Sequence, residues 1–421
     1  MTQTPQAQPP PYRWVILSAA CLIGFMLVGA RETLGNFLKP MTGELHWDRE
    51  TISLIAAMNL WVSGLLQPFT GHIMDRFGAK WLFASSVTLY GLGVLLVGFT
   101  HTAWYMVFVY GVLVGSATAG ASISLSNALV AQWFPAPRRA FAISVNNACV
   151  ALGRLALLTL SFYAFTLYGW RWTHIYLGAG ILLVTIPAAL VLPGHRATAA
   201  HRAQAARRRT TAQGPLEVVR WSEALRTLPL WQLMGGYFVC GMTVGLSMHF
   251  IAFATDHGYQ HAEAVVAQGT MAVAIFCGSL LAGLVADRIG RKNVLGLAYA
   301  LRAVAFGTLL LWHHWMALYI FAVVGGLSWL ATPPSVIALT GEIYGMRTLG
   351  TLGGVSLLAH QMGGGLSVWL AGKLYDLTGG YDVSFTLATL ALVGASLVSF
   401  SIAERRYSTR YMTPAPSAVG D

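Results

Sequence analysis

GHIMDRFGAK at residues 71–80 returns in the second half of the chain as GLVADRIGRK at residues 283–292. Each copy closes one apolar run and opens the next, so the chain reads as a duplicated array of spanning segments, in the manner of parallel membrane repeats. Gly71 and Gly283 allow a neighbouring helix to approach closely, and Gly78 and Gly290 permit a tight turn between helices. Asp75 and Asp287, beside Arg76 and Arg288, can accept hydrogen bonds from a helix N-terminus or from nearby arginines. That contact must break for the inner side to open, which makes the motif a gate. Simple anchoring on the basic side accounts for Lys80, Arg291 and Lys292.

Working outward, apolar runs long enough to span a bilayer lie near 14–38, 51–73, 81–100, 104–132, 140–165 and 172–192. A second set lies near 230–255, 264–286, 293–312, 315–340, 350–374 and 382–402. We number these spans 1 to 12. The expected fold is an all-α membrane protein, with twelve transmembrane helices in two six-helix bundles related by pseudo-two-fold symmetry. The expected organisation is a tail at 1–13, bundles at 14–193 and 229–403, a basic linker at 194–228 and a tail at 404–421. Composition agrees: 56% of residues are hydrophobic and only 10% charged, against roughly 25% charged in soluble domains. The Pro-rich start has neither a basic n-region nor a cleavage site, so no signal peptide is expected. Cys21, Cys149, Cys240 and Cys277 fall in apolar runs and read as small buried hydrophobes, with no metal, disulfide or cofactor expected.

A net charge of +11 would suggest nucleic acid in a soluble protein, but its placement argues for a bilayer instead. With a cytoplasmic N-terminus, the inner segments hold most of the cations, including Arg13, Lys80, Arg138, Arg139, Arg207, Arg208, Arg209 and Arg405. The outer loops hold Lys39, Arg49, Arg171 and Lys373. The imbalance places both termini in the cytoplasm and the protein in a bacterial inner membrane. Three cations, Arg31, Arg154 and Arg302, fall within spans. Hydrocarbon makes each expensive, so each must face a cavity or a partner.

Arg31 lies about 26 Å along span 1, where it can contact an anionic substrate or snorkel outward beside Glu32. Arg154 shares one face of span 5 with Asn147 and Ser161; it can contact the anion or join a hydrogen-bond network to a neighbouring helix. Arg302 has Ala298, Ala305 and Leu309 on its face, which suggests helix packing and a structural role. Glu32 is the one carboxylate clearly inside a span, so His360 and His249 join it as proton-coupling candidates. Tyr237 and Gln361, with Asn59, Ser63 and Gln67, are candidates for a polar lining. All are more often packing residues.

Further motifs give a family resemblance. Trp133-Phe134 followed by Arg138-Arg139 resembles the loop between helices 4 and 5 of the major facilitator superfamily, and Tyr168-Gly169-Trp170-Arg171 resembles its entry to helix 6. The resemblance covers residues 12–405 and implies alternating access of two bundles, with Arg138 and Arg139 joining the inner gate. Within the family the chain is most similar to the monocarboxylate and oxalate/formate-type carriers. That similarity rests on Arg13-Trp14-Val15-Ile16, Arg31 with Phe37, the stretch Trp47–Ser53, His360-Gln361 and the stretch Leu374–Tyr381. It implies that a cation at Arg31 handles a carboxylate. Ser279 and Gln361 stand where many such carriers have an arginine and a lysine, so a substrate held between that pair of cations is not expected.

The expected function is secondary transport of a small organic anion, a monocarboxylate, by proton symport, in a protein acting as a monomer. Arg31, Arg154, Asn147, Tyr237, His360 and Gln361 are the substrate-binding candidates. The alternatives are a proton-coupled drug or metabolite exporter, whose Gly- and Pro-rich signature span 5 lacks, and a transport-inactive receptor. No nucleotide-binding loop or nucleophile elbow occurs, so neither primary transport nor an enzyme is expected.

Overall fold

The computed structural model describes residues 12–134, 136–194, 216, 221–312, 314–345 and 349–402. Most of the expected linker, both tails, and the side chains of Gly71, Asp75, Arg76, Arg139, Gly283 and Asp287 lie outside the described residues.

Apolar residues without β-branched alternation, punctuated by glycine, favour helix throughout. All twelve spans are helical. Span 1 is Tyr12–Glu32, followed after a break by Leu34–Leu45. At the break the Thr33 N–H and hydroxyl both donate to the Ala30 carbonyl. Spans 2 and 3 are Arg49–Phe77 and Ala79–Val97. Spans 5 and 6 run together as Ala136–Leu190, divided at Gly169. Span 7 is Leu228–Leu246 and Phe250–Asp256 about a short 3₁₀ turn. Spans 8, 9, 11 and 12 are His261–Ile289, Arg291–Leu311, Leu349–Thr378 and Asp382–Ser401.

Spans 4 and 10, which hold matching places in the two sequence halves, share an irregularity. Each contains a π-helical turn, Val107–Val114 in one and Phe321–Gly325 in the other. Each then breaks before a last helix, Ile123–Trp133 or Thr332–Tyr344. Nine described segments are apolar and long enough to cross a membrane, one of which, Phe141–Leu190, holds spans 5 and 6. Spans 2 and 11 are long enough but more polar, carrying Asn59, Ser63 and Gln67, and His360 and Gln361.

The helices gather into two compact units, Met1–Leu34 with Phe69–Arg207 and Gly35–Pro68 with Arg208–Asp421. Within the first, span 1 packs along span 5 and span 3 along span 6; within the second, span 7 packs along span 11 and span 9 along span 12. The pairing repeats because its glycines repeat. A Cβ on Gly29 would collide with the Gly153 carbonyl, and one on Gly153 with Phe25 backbone. In the second unit, Gly241 and Gly245 bring span 7 against the backbone of His360 and Gly364.

The motif glycines also act alike. Gly78 has φ 87° and ψ 164°, and Gly290 φ 88° and ψ 153°, a region of backbone space that is essentially closed to other residues. Both mark the sharp reversal from one span to the next. Large apolar side chains such as Trp104, Leu183 and Leu311 are exposed on the helices, as a hydrocarbon surround permits.

Gly153→Ala should remove about 1–3 kcal/mol of stability by overpacking. Gly43→Ala, whose Cβ meets nothing within 4 Å, should be neutral or slightly stabilising. Thermal unfolding of the purified protein in detergent checks both, and equal midpoints for the two variants would contradict the close helix contact.

Candidate functional site

In the first unit the two neighbouring charges of span 1 point different ways, because adjacent residues do not share a helix face. Glu32 Oε1 accepts from Arg154 Nη2 at 2.7 Å, with about one fifth of each side chain exposed (21% and 19%). Arg154 is thereby neutralised by span 1, and Glu32 is held as its counter-ion. Arg31, half-buried, makes no hydrogen bond or ion pair among the described residues. Its charge instead lies near the buried phenols of Tyr90 on span 3 and Tyr110 on span 4. The Tyr90 hydroxyl donates to the Leu27 carbonyl at 3.0 Å, which fixes that ring against span 1.

Asn147 does not share a partner with Arg154. Its Oδ1 accepts from Asn127 Nδ2 at 3.0 Å, while the fully buried Asn146 donates to Ser126 and to Asn127 Oδ1. This amide cluster ties span 4 to span 5. Asn127 and Asn146 were not among the sequence candidates, although two adjacent asparagines in an apolar run are a signal. Ser161, the third member of the expected stripe, bonds the Leu158 carbonyl of its own helix.

The second unit brings Tyr237, His360 and Gln361 together. The Tyr237 and His360 rings lie 4.7 Å apart. His360 Nδ1 lies 3.3 Å from Gln361 Oε1, and Gln361 Nε2 donates to the Ser63 hydroxyl at 3.4 Å. Span 2 thus meets span 11, helped by Gly64, whose missing side chain leaves room for Gln361. Arg302 is fully buried. Nη2 donates to the Ser328 and Trp329 carbonyls at 2.9 and 3.0 Å, and Nη1 to Thr243 and Cys240 at 3.1 and 3.3 Å. Pro333 has no N–H to offer the Trp329 carbonyl four residues earlier, so Arg302 satisfies backbone acceptors at the break in span 10.

Cysteine is more varied than its sequence reading. Cys240 takes part in this polar cluster, Cys149 is half-buried and Cys277 is exposed.

A second polar network joins the start of span 2 to the ends of spans 7 and 11 and the start of span 12. Arg49 donates to Asp256 at 2.7 Å and to the Tyr381 hydroxyl at 2.8 Å, and its guanidinium lies 3.5 Å over the Tyr375 ring. Lys39 also pairs with Asp256 at 2.7 Å. Asp376 accepts the backbone N–H groups of Arg49 and Glu50, capping the start of span 2. Burial pushes the Tyr381 phenol well above its ordinary range, so it stays protonated. The hydroxyl accepts from Arg49 and must donate onward to His249 Nδ1 at 3.1 Å. His249 Nε2 then donates to the Val368 carbonyl at 3.1 Å. This chain fixes His249 as one neutral tautomer. The stretches 47–53 and 374–381, quoted above as separate motifs, are the two that meet here.

Arg291, at the start of span 9, pairs with Glu342, and Arg138 and Arg288 are exposed.

A family model described as Major Facilitator Superfamily matches residues 20–278 and 233–416. The chain is 25% identical to an uncharacterized MFS-type transporter, YcxA, of Bacillus subtilis (strain 168), covering 92% of this chain and 94% of that one. It is 22% identical to monocarboxylate transporter 13 of Rattus norvegicus, covering 94% and 91%. Among solved structures it is similar to a bacterial homologue of the human lysosomal transporter Spinster, in an inward-facing and occupied conformation. That match has a TM-score of 0.68 and 16% identity, and covers 95% of this chain and 98% of that one; it carries the fold alone.

Removing one partner of the intramembrane pair should be worse than removing both. Arg154→Gln alone should lower stability by about 2–3 kcal/mol, somewhat less than a fully buried pair. The double variant Glu32→Gln/Arg154→Gln should recover most of that loss. Thermal unfolding of the two singles and the double measures the coupling, and additive effects would show that the contact is not structural.

Proposed function

The chain belongs to the Major Facilitator Superfamily, and from that premise we propose that it carries a small organic anion, a monocarboxylate, by alternating access coupled to proton movement. The observation that supports this reading is the state of the three intramembrane arginines. Arg154 is neutralised by Glu32, and Arg302 is enclosed by carbonyls and small polar side chains. Arg31 keeps a half-buried charge with no acid on it among the described residues. A cation so placed lowers the energy of an anion brought out of water, and a guanidinium can hold a carboxylate by two parallel hydrogen bonds.

Tyr90 and Tyr110 give Arg31 polar company, and Glu32, whose charge bears on the same two phenols, is paired with Arg154 rather than with Arg31. That leaves the guanidinium able to bind an anion and then release it. The name of the rat relative, a monocarboxylate transporter, supports the same class of substrate. The basic inner segments support a bacterial inner-membrane location with both termini cytoplasmic. The paired glycine reversals at Gly78 and Gly290 support an inner gate built on the two motif copies, with Asp75 and Asp287 as its breakable contacts.

Reconstituted vesicles given labelled monocarboxylates, with and without an inward proton gradient, test the reading. Wild type should take up at least one monocarboxylate, faster with the gradient. Arg31→Gln should reduce uptake by about tenfold or more, as expected when a charge-assisted hydrogen bond is lost. Arg31→Lys should retain part of it. Full uptake by Arg31→Gln would remove Arg31 from the site, and efflux of hydrophobic cations alone would favour an exporter.

A further inference from the structure

Cys240 is 1% exposed, yet its sulfur has several polar partners. Its sulfur lies 3.3 Å from Arg302 Nη1 and 3.1 Å from the Thr332 hydroxyl. The His360 ring reaches the same sulfur from span 11. Arg302 itself is fully buried, stacked 4.7 Å over Trp329, with two carbonyls, a threonine and this cysteine around it. Among the described residues no carboxylate pairs with it.

A buried guanidinium held only by neutral dipoles is costly to desolvate. Of the groups that touch Arg302, the Cys240 thiol alone can take on a full negative charge, and a thiol beside a cation does so readily. Two further donors sit buried and unused at the cluster, Arg302 Nε and the Tyr299 hydroxyl one turn earlier on span 9. Their presence favours an anion over another neutral group.

His360 completes the arrangement. One of its ring nitrogens, Nδ1, faces the Gln361 carbonyl oxygen at 3.3 Å, and the ring also reaches the sulfur. Both neighbours are acceptors, which is what a doubly protonated imidazolium needs. His249 differs: Nε2 faces the Val368 carbonyl and the Ser53 hydroxyl, and Nδ1 takes the proton of the Tyr381 hydroxyl. His360 is half-exposed, whereas Cys240 and Arg302 are closed to water. The remaining titratable groups facing the cluster are the phenols of Tyr237 on span 7 and Tyr299 on span 9.

We propose that Cys240 and His360 form the proton-binding centre of the transport cycle, with the Cys240 thiolate balancing Arg302 and His360 carrying the proton. In the loaded state His360 is an imidazolium donating to the thiolate, and the three groups sum to one positive charge. On discharge the proton leaves the ring nitrogen for water, the imidazole becomes neutral, and the sum falls to zero. No other bond forms or breaks. Cys240 is a positioning residue here, since its thiolate accepts from the protonated His360 ring without contacting cargo. The positive loaded state favours a bound anion, so proton and anion travel together; in this respect the inference rests on the function proposed above.

Two measurements test it. In the first, Cys240→Ser is reconstituted and compared with wild type. Gradient-driven accumulation of the monocarboxylate should fall to a ratio of about 1, because proton and substrate binding are no longer coupled. Exchange of labelled for unlabelled monocarboxylate at equal pH should persist, and the pH dependence of KM should flatten. Accumulation and pH profile like wild type would overturn the proposal, as would loss of exchange in a variant that stays monodisperse.

In the second, the triple variant Cys21→Ser/Cys149→Ser/Cys277→Ser leaves Cys240 as the sole cysteine, and infrared spectroscopy at neutral pH looks for an S–H stretching band. None is expected, and a clear band overturns the thiolate. This arm needs no transport. If wild type moves no monocarboxylate, the proposed function fails while the infrared result still decides the charge state of Cys240.

Discussion

A charge inside hydrocarbon must find an acceptor or face water, and most of the internal design of this chain answers that constraint. The three intramembrane arginines answer it differently. Arg154 takes the one nearby carboxylate, Glu32, across the contact between spans 1 and 5. Arg302 takes carbonyls at a proline break and a thiol. Arg31 takes neither: it stays half-buried near two phenols on which the Glu32 charge also acts, with no acid paired to it among the described residues. The order matters for function. If Glu32 faced Arg31 instead, the pair would be neutral and Arg154 would hold the free charge. The break at Thr33 and the opposite facing of residues 31 and 32 decide which arginine remains available.

The same constraint explains where backbone irregularity is tolerated. In lipid an unpaired carbonyl costs several kcal/mol, so a broken helix needs a donor supplied from elsewhere. Span 10 breaks before Thr332-Pro333-Pro334, and Arg302 reaches over from span 9 to supply it. Close glycine contacts then set how far each unit can flex. Gly29 against Gly153, and Gly241 and Gly245 against span 11, bring backbones into contact, where dispersion and packing rather than water drive association.

The spans, the repeat and the special glycines were legible because each depends on local sequence. Twelve apolar runs need only length, and Gly78 and Gly290 need only a reversal that other residues cannot make. The pairings were not legible. Glu32 with Arg154 depends on the rotation of two helices about their axes, which hydrophobicity in an all-round apolar helix does not encode. Asn146 and Asn127 were missed for the same reason, as was the closure of Arg49 onto Asp256, Tyr375 and Tyr381 by residues far apart in sequence. Arg302 was partly legible: its role follows from Pro333 once one asks which donor serves the carbonyl four residues back. The motif acids Asp75 and Asp287 lie outside the described residues.

The two histidines that are candidates for proton coupling, His249 and His360, show why counting donors and acceptors decides more than position does. Both lie in the second unit, both touch a tyrosine ring, and the sequence treats them alike. Around His249, Nε2 faces the Val368 carbonyl and, at 3.5 Å, the Ser53 hydroxyl, and Nδ1 faces the Tyr381 hydroxyl. Arg49 can only donate, so Tyr381 accepts there and donates onward, and Val368 can only accept. Adding a proton to that ring sets donor against donor until the Tyr381 hydroxyl turns its own proton aside. Around His360 the neighbours are a carbonyl oxygen and a sulfur, and an added proton finds an acceptor already in place. One histidine is therefore suited to hold structure and the other to change charge, and the difference lies in the partners that spans 7, 9 and 11 bring to each ring.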